Sequence, residues 1–289
     1  MEKLTKAKFT NLDKILYPEL GITKFEIIKY YISVAPRILP FLKSRALVRT
    51  RYPNGIDQES FYEKDAPIGK PDWVETFSKY SKTSKKYTDY IVCNDLDTLL
   101  YLANLAAIEL HIPLSVIPET DKPDMILFDL DPEPPAGLEE TVSAAFQIKN
   151  KLEELGYISY VKTSGKKGLH VLVPIEPEYN FEDTKDYVRG IGAEISEESE
   201  FIVYERSKTK DPGTVLIDYP QNSERATIIA PYSLRAVREI TFSAPIEWSE
   251  LSNIRPFDYN IFSIEYSNSE PWKDFFKKRQ SLDLKGNAI

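Results

Sequence analysis

The stretch Met125-Ile126-Leu127-Phe128-Asp129-Leu130-Asp131-Pro132 decides how this chain is read. Met125 to Leu130 is an apolar run of strand length, and aspartates stand at its end. Residues two apart share one face of a strand, so Asp129 and Asp131 present their carboxylates side by side. Two anions that close repel unless one takes a proton or a cation lies between them. Oxygen ligands on one face suit Mg²⁺ or Mn²⁺, which complete their shells with water and substrate phosphates. The alternative is an Asx-type turn leading into Pro132. Asp218, inside Val215-Leu216-Ile217-Asp218-Tyr219, bears on the choice, because an unpaired buried carboxylate is costly. If that strand neighbours the first, three carboxylates converge on metal; otherwise Asp218 pairs with a cation such as Arg225.

Further outward, strands over Ile158–Thr163 and Leu169–Pro174 flank Ser164-Gly165-Lys166-Lys167-Gly168. The glycines allow close backbone approach, Ser164 and the amides offer donors, and Lys167 and His170 can face an anion. This is not a P-loop: the GxxxxGK[ST] spacing is absent and a strand follows. A plain lysine-rich hairpin turn is the alternative. The remaining pattern predicts strands at Ala46–Tyr52, Ser60–Glu63 and Ala226–Ala230, and helices at Leu96–Leu110, Thr141–Leu155 and Pro271–Arg279. Tyr80–Tyr87 reads as a polar, lysine-bearing loop. Mixed strands and helices place the chain in the α/β (α+β) class with central sheets flanked by helices.

Two features near the N-terminus suit an anionic, aromatic-stacking partner. Thr23-Lys24-Phe25-Glu26 has the form of a capping box, and Phe25, Ile28, Ile32 and Ala35 follow at helical spacing. Lys24 then occupies the first turn, where free amides and the helix dipole favour an anion. Asn11 and Lys14 can close around the same group, or all three are ordinary surface residues. Phe61-Tyr62 lies on a strand, where one ring faces inward and the other outward. An exposed ring beside Arg49, Arg51 and Lys64 can stack on a base for ~1–3 kcal/mol; core and cross-strand roles are the alternative.

Composition sets the outer bounds. The chain has 289 residues, 42% of them hydrophobic, and a formal charge of −8. That is enough apolar material for a core and excludes disorder as the main state. A single cysteine, Cys93, excludes an intramolecular disulfide framework, and with only His111 and His170 beside it a structural zinc site is close to excluded. Met1–Lys14 has no apolar signal region, and the uncharged stretch Thr98–Ile108 is too short to span a membrane. A reduced, cytoplasmic compartment is expected. The acidic total argues against nucleic acid, yet it conceals a gradient: Met1–Tyr90 holds 17 Lys+Arg against 11 Asp+Glu, leaving 20 against 34 for the remainder. Partner choice follows local potential, so the first third can meet a polyanion.

Seven ordered blocks carry a resemblance over about Phe9–Phe276. They are NLDKILYPELGITK (Asn11–Lys24), RYPNGIDQESFYEKDAP (Arg51–Pro67), LANLAAIELH (Leu102–His111), LFDLDP (Leu127–Pro132), VKTSGKKGLHV (Val161–Val171), VLIDYPQN (Val215–Asn222) and RATIIAPYSLRA (Arg225–Ala236). In these the sequence resembles the polymerase module of bacterial ligase D and its stand-alone relatives, within the archaeo-eukaryotic primase superfamily. The resemblance implies a primase-like catalytic core and a template-directed nucleotidyltransferase. Such an enzyme fills gaps and extends ends in non-homologous end joining, with Mn²⁺ or Mg²⁺ and a preference for ribonucleotides. Its metal ligands fall on Asp129, Asp131 and Asp218. The triphosphate contacts fall on Ser164, Lys167, His170 and Arg235, with Gln221 near the nucleotide and His111 at the ribose. The pocket for a downstream 5′-phosphate falls on Asn11, Lys14 and Lys24, and the template-stacking rings fall on Phe61 and Tyr62.

The lysine loop Lys79–Lys86 lies where family members bring two DNA ends together. The expected organisation is one domain over residues 1–289, with a DNA-phosphate-binding part at about 1–90 and a catalytic core at about 91–289. The expected partners are DNA ends and gaps, NTPs or dNTPs, Ku and a separate ligase, with a nucleoid-associated location and no membrane. The competing readings are a primase that starts chains on single-stranded template and a catalytically vestigial end-bridging protein. A metal-dependent phosphohydrolase also uses clustered acids but leaves the phosphate-pocket and aromatic blocks unexplained.

Overall fold

The computed structural model describes residues 5–81, 85–208, 212–255, 257–264 and 270–284. In chain order the first elements are β1 (Ile15–Tyr17), β2 (Ile22–Thr23), α1 (Lys24–Leu42), β3 (Val48–Arg51) and β4 (Phe61–Glu63). β5 (Thr76–Ser81), β6 (Lys86–Ile91), α2 (Leu96–Asn104), β7 (Ala107–Ile112), β8 (Met125–Pro132) and α3 (Leu138–Glu154) follow. The last are β9 (Tyr160–Thr163), β10 (Leu169–Pro174), α4 (Phe181–Glu198), β11 (Ile202–Val203), β12 (Val215–Ile217), β13 (Ile228–Ile229) and β14 (Pro245–Ile246). The chain divides into two compact units. The first comprises residues 1–113, 227–242 and 260–264, and the second takes the rest. Among the described residues no helix is long and apolar enough to cross a membrane.

The second unit is built on a six-stranded sheet in the order β11-β12-β8-β10-β9-β14, antiparallel except for the β11–β12 pair. β10 is buried along its whole length and β8 over Met125–Leu130, as their continuous apolar runs require. Helix α4 lies against the sheet at Gly192, where an added Cβ would meet the Ile217 side chain at 3.7 Å. Ile217 pairs with Leu130. Alternation therefore puts Leu130 and Ile217 on the helix-covered face, and Asp129 and Asp131 on the other.

The first unit carries a four-stranded antiparallel sheet, β13-β7-β3-β4, and two two-stranded ribbons, β1-β2 and β5-β6. Helix α1 opens at Thr23, whose amide donates to the Glu26 carboxylate at 2.9 Å, as the capping box predicts. It buries Ile27, Ile28, Tyr31, Val34, Ile38 and Leu42. Tyr31 Oη donates to the Ile108 carbonyl at 2.7 Å, tying the helix to β7.

Several expectations are corrected. Leu96–Leu110 is not one helix: Asp95 caps α2, which ends at Asn104, Ala106 turns the chain at φ 56°, and β7 begins at Ala107. An unbroken apolar run gives helix and buried strand the same signature. The Tyr80–Tyr87 loop is the tip of the β5–β6 ribbon, in which Tyr80 pairs with Tyr87; Lys82–Ser84 within it lie outside the described residues. Pro271–Arg279 is not a helix but turns around a three-residue 3₁₀ segment, Phe275–Lys277, anchored by buried Trp272 and Phe275. Helix α4 was not anticipated, although its signal exists. Asn180 Oδ1 accepts from the Glu182 and Asp183 amides at 2.8 and 3.0 Å, and Tyr187, Val188, Ile191 and Ile195 follow at helical spacing.

Gly168 opens β10 where the two backbones nearly touch: a Cβ there would lie 2.3 Å from the Leu130 carbonyl oxygen. Gly168→Ala is expected to cost about 1–3 kcal/mol by overpacking. Urea unfolding measures it, and an unchanged midpoint would contradict that contact.

Candidate active site

Three backbone facts bring the acids of the second unit together. Asp129 and Asp131 share the face of β8 that α4 leaves uncovered. β12 pairs antiparallel with β8 through Leu216↔Asp131 and Ile217↔Leu130. The Asp218 amide then donates to the Asp129 carbonyl at 2.8 Å, just past the end of β12. Asp218 is thus the residue after the strand rather than part of it, and Tyr219–Gln221 turn away in a 3₁₀ segment. One carboxylate oxygen from each of Asp129, Asp131 and Asp218 lies within 4.8 Å of the others.

The electrostatics follow from that crowding. Burial, then the charges of Asp131 and Asp218, push the Asp129 carboxyl up to about 8, against the opposing pull of Lys162 and Arg206. Burial and then Asp218 raise Asp131 as well. An all-oxygen donor set that resists ionising together fits a hard divalent cation. Arg206 supplies positive charge here: its guanidinium pairs with Asp218 through Nη2, and Nε donates to Oδ1 at 3.3 Å. The partner of Asp218 is therefore Arg206, not Arg225.

The neighbours come from the adjoining strands. His170 pairs with Asp129 across β8–β10 and with Lys162 across β10–β9, so the three side chains stand in one row. His170 Nε2 lies 3.3 Å from Asp129 Oδ1. Lys162 is fully buried and donates to Ser243 Oγ at 2.6 Å; the sequence reading missed it, although a lysine alternating with Val161 on a buried strand was a usable signal. Ser164 Oγ accepts from the Gly168 and Lys166 amides at 3.1 and 3.3 Å and so shapes the hairpin loop that carries exposed Lys167. Gln221 Nε2 donates to Asp218 Oδ2 at 3.3 Å.

The other expected residues lie in the first unit. His111 Nε2 is 3.3 Å from Thr50 Oγ1 and 3.5 Å from Glu109 Oε2, and Arg235 Nε is 3.2 Å from Glu109 Oε1. Glu109 thus holds both expected nucleotide contacts of this unit, a role the sequence did not single out. Asn11, Lys14 and Lys24 are brought together by the backbone: the Lys14 amide donates to the Asn11 carbonyl at 3.1 Å, and the Lys24 amide to the Lys14 carbonyl at 2.9 Å. Lys14 Nζ donates to Asn54 Oδ1 and Lys24 Nζ to the Thr10 carbonyl, both at 2.9 Å. Burial, then Lys14 and Arg51, lower the Lys24 pKa, so an anion would relieve a crowded positive site.

Phe61 and Tyr62 are both exposed, at 41% and 56%, rather than one in and one out. β4 is the edge strand of its sheet and three residues long; the Tyr62 ring meets the His111 ring edge-on at 6.1 Å between centroids yet stays more than half exposed. Arg49 and Arg51 do not flank the rings as free cations: both pair with Glu63, at 2.6 and 3.0 Å.

Comparison with known proteins places the chain within one family. The model of the LigD primase-polymerase domain matches residues 23–272. The bifunctional non-homologous end joining protein LigD of Bacillus subtilis is 35% identical over 96% of this chain and 46% of its own length. The multifunctional LigD of Mycolicibacterium smegmatis is 32% identical over 88% of this chain and 33% of its own length. The chain therefore spans between a third and a half of these curated relatives. The polymerase domain of Mycobacterium tuberculosis ligase D, solved in complex with DNA, superposes with a TM-score of 0.86 at 27% identity, covering 96% of this chain and all of that one.

The raised Asp129 carboxyl makes a pH prediction with a defined sign. Its folded pKa of about 8 lies above the unfolded value of about 3.9, so the folded state holds a proton that the unfolded state releases. Without divalent metal, stability should fall as pH climbs from about 4 to about 8. Melting temperatures taken in chelator across this range should decline less for Asp129→Asn than for the native chain, and Mn²⁺ should flatten the native decline. Parallel declines for both proteins would count against the assignment.

Proposed function

The chain belongs to the LigD primase-polymerase domain family, a family of nucleotidyltransferases, and from that premise we propose that it extends DNA ends and fills gaps by template-directed nucleotide addition. The observation that carries this reading is the convergence of Asp129, Asp131 and Asp218 on one metal-sized space. These residues would hold Mn²⁺ or Mg²⁺, two ions in the full site, which when bound would activate a primer 3′-hydroxyl and neutralise the triphosphate. Lys167 and Ser164 of the β9–β10 loop and His170 of β10 would offer donors to phosphate, with Gln221 beside Asp218. In the first unit His111 and Arg235, oriented by Glu109, are the proposed ribose and phosphate contacts.

Asn11, Lys14 and Lys24 would take a DNA 5′-phosphate. Phe61 and Tyr62 would stack on bases, and the lysines of the β5–β6 ribbon would meet a second DNA end. Preference for ribonucleotides, and partnership with Ku and a DNA ligase, belong to the same reading.

The test is extension on a one-nucleotide gap, with rNTP against dNTP and Mn²⁺ against Mg²⁺. Asp129→Ala and Asp218→Ala should each abolish addition while the circular dichroism of the fold is retained; ordinary extension by either with Mn²⁺ would sink the metal assignment. Lys14→Ala with Lys24→Ala should weaken binding to a 5′-phosphorylated gap about tenfold or more, the loss of two phosphate contacts at roughly 1 kcal/mol or more each. Binding to the unphosphorylated gap should change little. Equal losses on both substrates would refute the pocket.

A further inference from the structure

Asn222, outside the set of proposed ligands, ties the turn that follows Asp218 to β8. β12 follows β8 only as far as Ile217↔Leu130, with one more ladder bond from the Asp218 amide to the Asp129 carbonyl at 2.8 Å. The chain then leaves the sheet, and the edge of β8 two residues before Asp129 loses its strand partner at Leu127. Asn222, fully buried, fills that gap with its side chain. Its Oδ1 accepts from the Leu127 amide at 2.9 Å, and its Nδ2 donates to the Leu127 carbonyl at 2.7 Å. A carboxamide offers one acceptor and one donor, as a peptide unit does, so it continues the ladder where the backbone has departed. Nδ2 also donates to the Tyr219 carbonyl at 3.1 Å, closing the turn upon itself.

The turn is therefore pinned to β8 at both ends, by the Asp218 amide on Asp129 and by the Asn222 side chain on Leu127. Only Tyr219, Pro220 and Gln221 lie between, and Pro220 further restricts their backbone. We propose that Asn222 is a positioning residue for the metal site, fixing the Asp218 carboxylate against Asp129 and Asp131 through this two-point attachment. Alanine at 222 would leave the Leu127 amide and carbonyl buried without partners and free the turn to swing. The Asp218 carboxylate would then remain present but no longer be held at ligand distance. Groups that orient a metal ligand in this way commonly change metal affinity about 10- to 100-fold when removed.

The inference rests on the three acids holding a divalent cation, and its test separates the two. Mn²⁺ binding to the native chain and to Asn222→Ala is measured by the loss of the free-ion electron paramagnetic resonance signal, alongside the melting temperature of each. Primer extension is then followed as Mn²⁺ is raised. The expected result is a folded variant with Mn²⁺ affinity lowered about 10-fold or more, extension recovered at high Mn²⁺, and a nucleotide KM near the native value once metal saturates. A folded variant with native Mn²⁺ affinity, or a defect that Mn²⁺ does not relieve, overturns the proposal. Should Asn222→Ala not fold, Asn222→Ser keeps a hydroxyl for one of the two Leu127 groups and is judged by the same criteria. Failure of both to fold makes Asn222 a folding residue only and also overturns it. If the native chain itself binds no Mn²⁺, the metal reading fails, whatever the variants do.

Discussion

Three carboxylates, each with an oxygen within 4.8 Å of the others, repel one another unless positive charge is placed among them. The second unit is organised around that constraint. Asp129 and Asp131 come from one strand, Asp218 from the end of its neighbour, and two cations stand near them. Lys162 stands in the sheet row and Arg206 reaches Asp218, while the His170 imidazole lies against Asp129. These groups offset the repulsion without cancelling it, since Asp129 still holds its proton to about pH 8. The fold tolerates a site that opposes its own ionisation because the strand carrying it is otherwise deeply anchored. On the opposite face of β8, Phe128 and Leu130 are fully buried.

The first unit uses its charge differently. Its basic residues divide into those consumed by the fold and those left to meet a partner. Arg49 is nearly fully buried and shares the Glu63 carboxylate with Arg51; Arg235 is held by Glu109. Lys14 and Lys24 are crowded together and, among the described residues, are met by neutral oxygens, from Asn54 and the Thr10 carbonyl. A cation hydrogen-bonded to a neutral acceptor keeps its net charge available, whereas one paired with a carboxylate does not. Within the first 90 residues Lys14 and Lys24 thus keep charge that Arg49 and Arg51 share with Glu63, a distinction that the overall charge of −8 conceals.

What could be read beforehand depended on whether the signal was local. The clustering of the three acids was legible because period-two alternation and a polar residue in an apolar run are properties of a short segment. The fold class followed from the mixture of strand and helix patterns along the chain, and the family from seven ordered blocks. Most of the failures depended on a neighbour distant in sequence; α4 is the exception, since its cap at Asn180 and its helical spacing are local. Leu96–Leu110 was read as one helix because nothing local marks Ala106 as the point where the chain turns and joins β3 across Val48↔His111. Glu109, Lys162 and Arg206 acquire their roles from strands and turns that periodicity does not position. Both rings of Phe61-Tyr62 are exposed because β4 is a sheet edge, a fact about topology rather than about those two residues.

The same distinction explains why positioning groups are harder to find than ligands. A ligand must be a particular chemical type, and its type announces it. Asn222 and Gly168 contribute through backbone contacts instead. One replaces a missing strand partner at Leu127, and the other permits contact with the Leu130 carbonyl that any side chain would prevent. Both act on β8 at positions that bracket Asp129, from opposite edges of the strand. The spacing of the acids is thus set by constraints on the backbone that carries them. A carboxylate can be chemically correct yet ineffective when its strand shifts by even a fraction of an ångström, because binding at crowded acids depends steeply on the distances between charges.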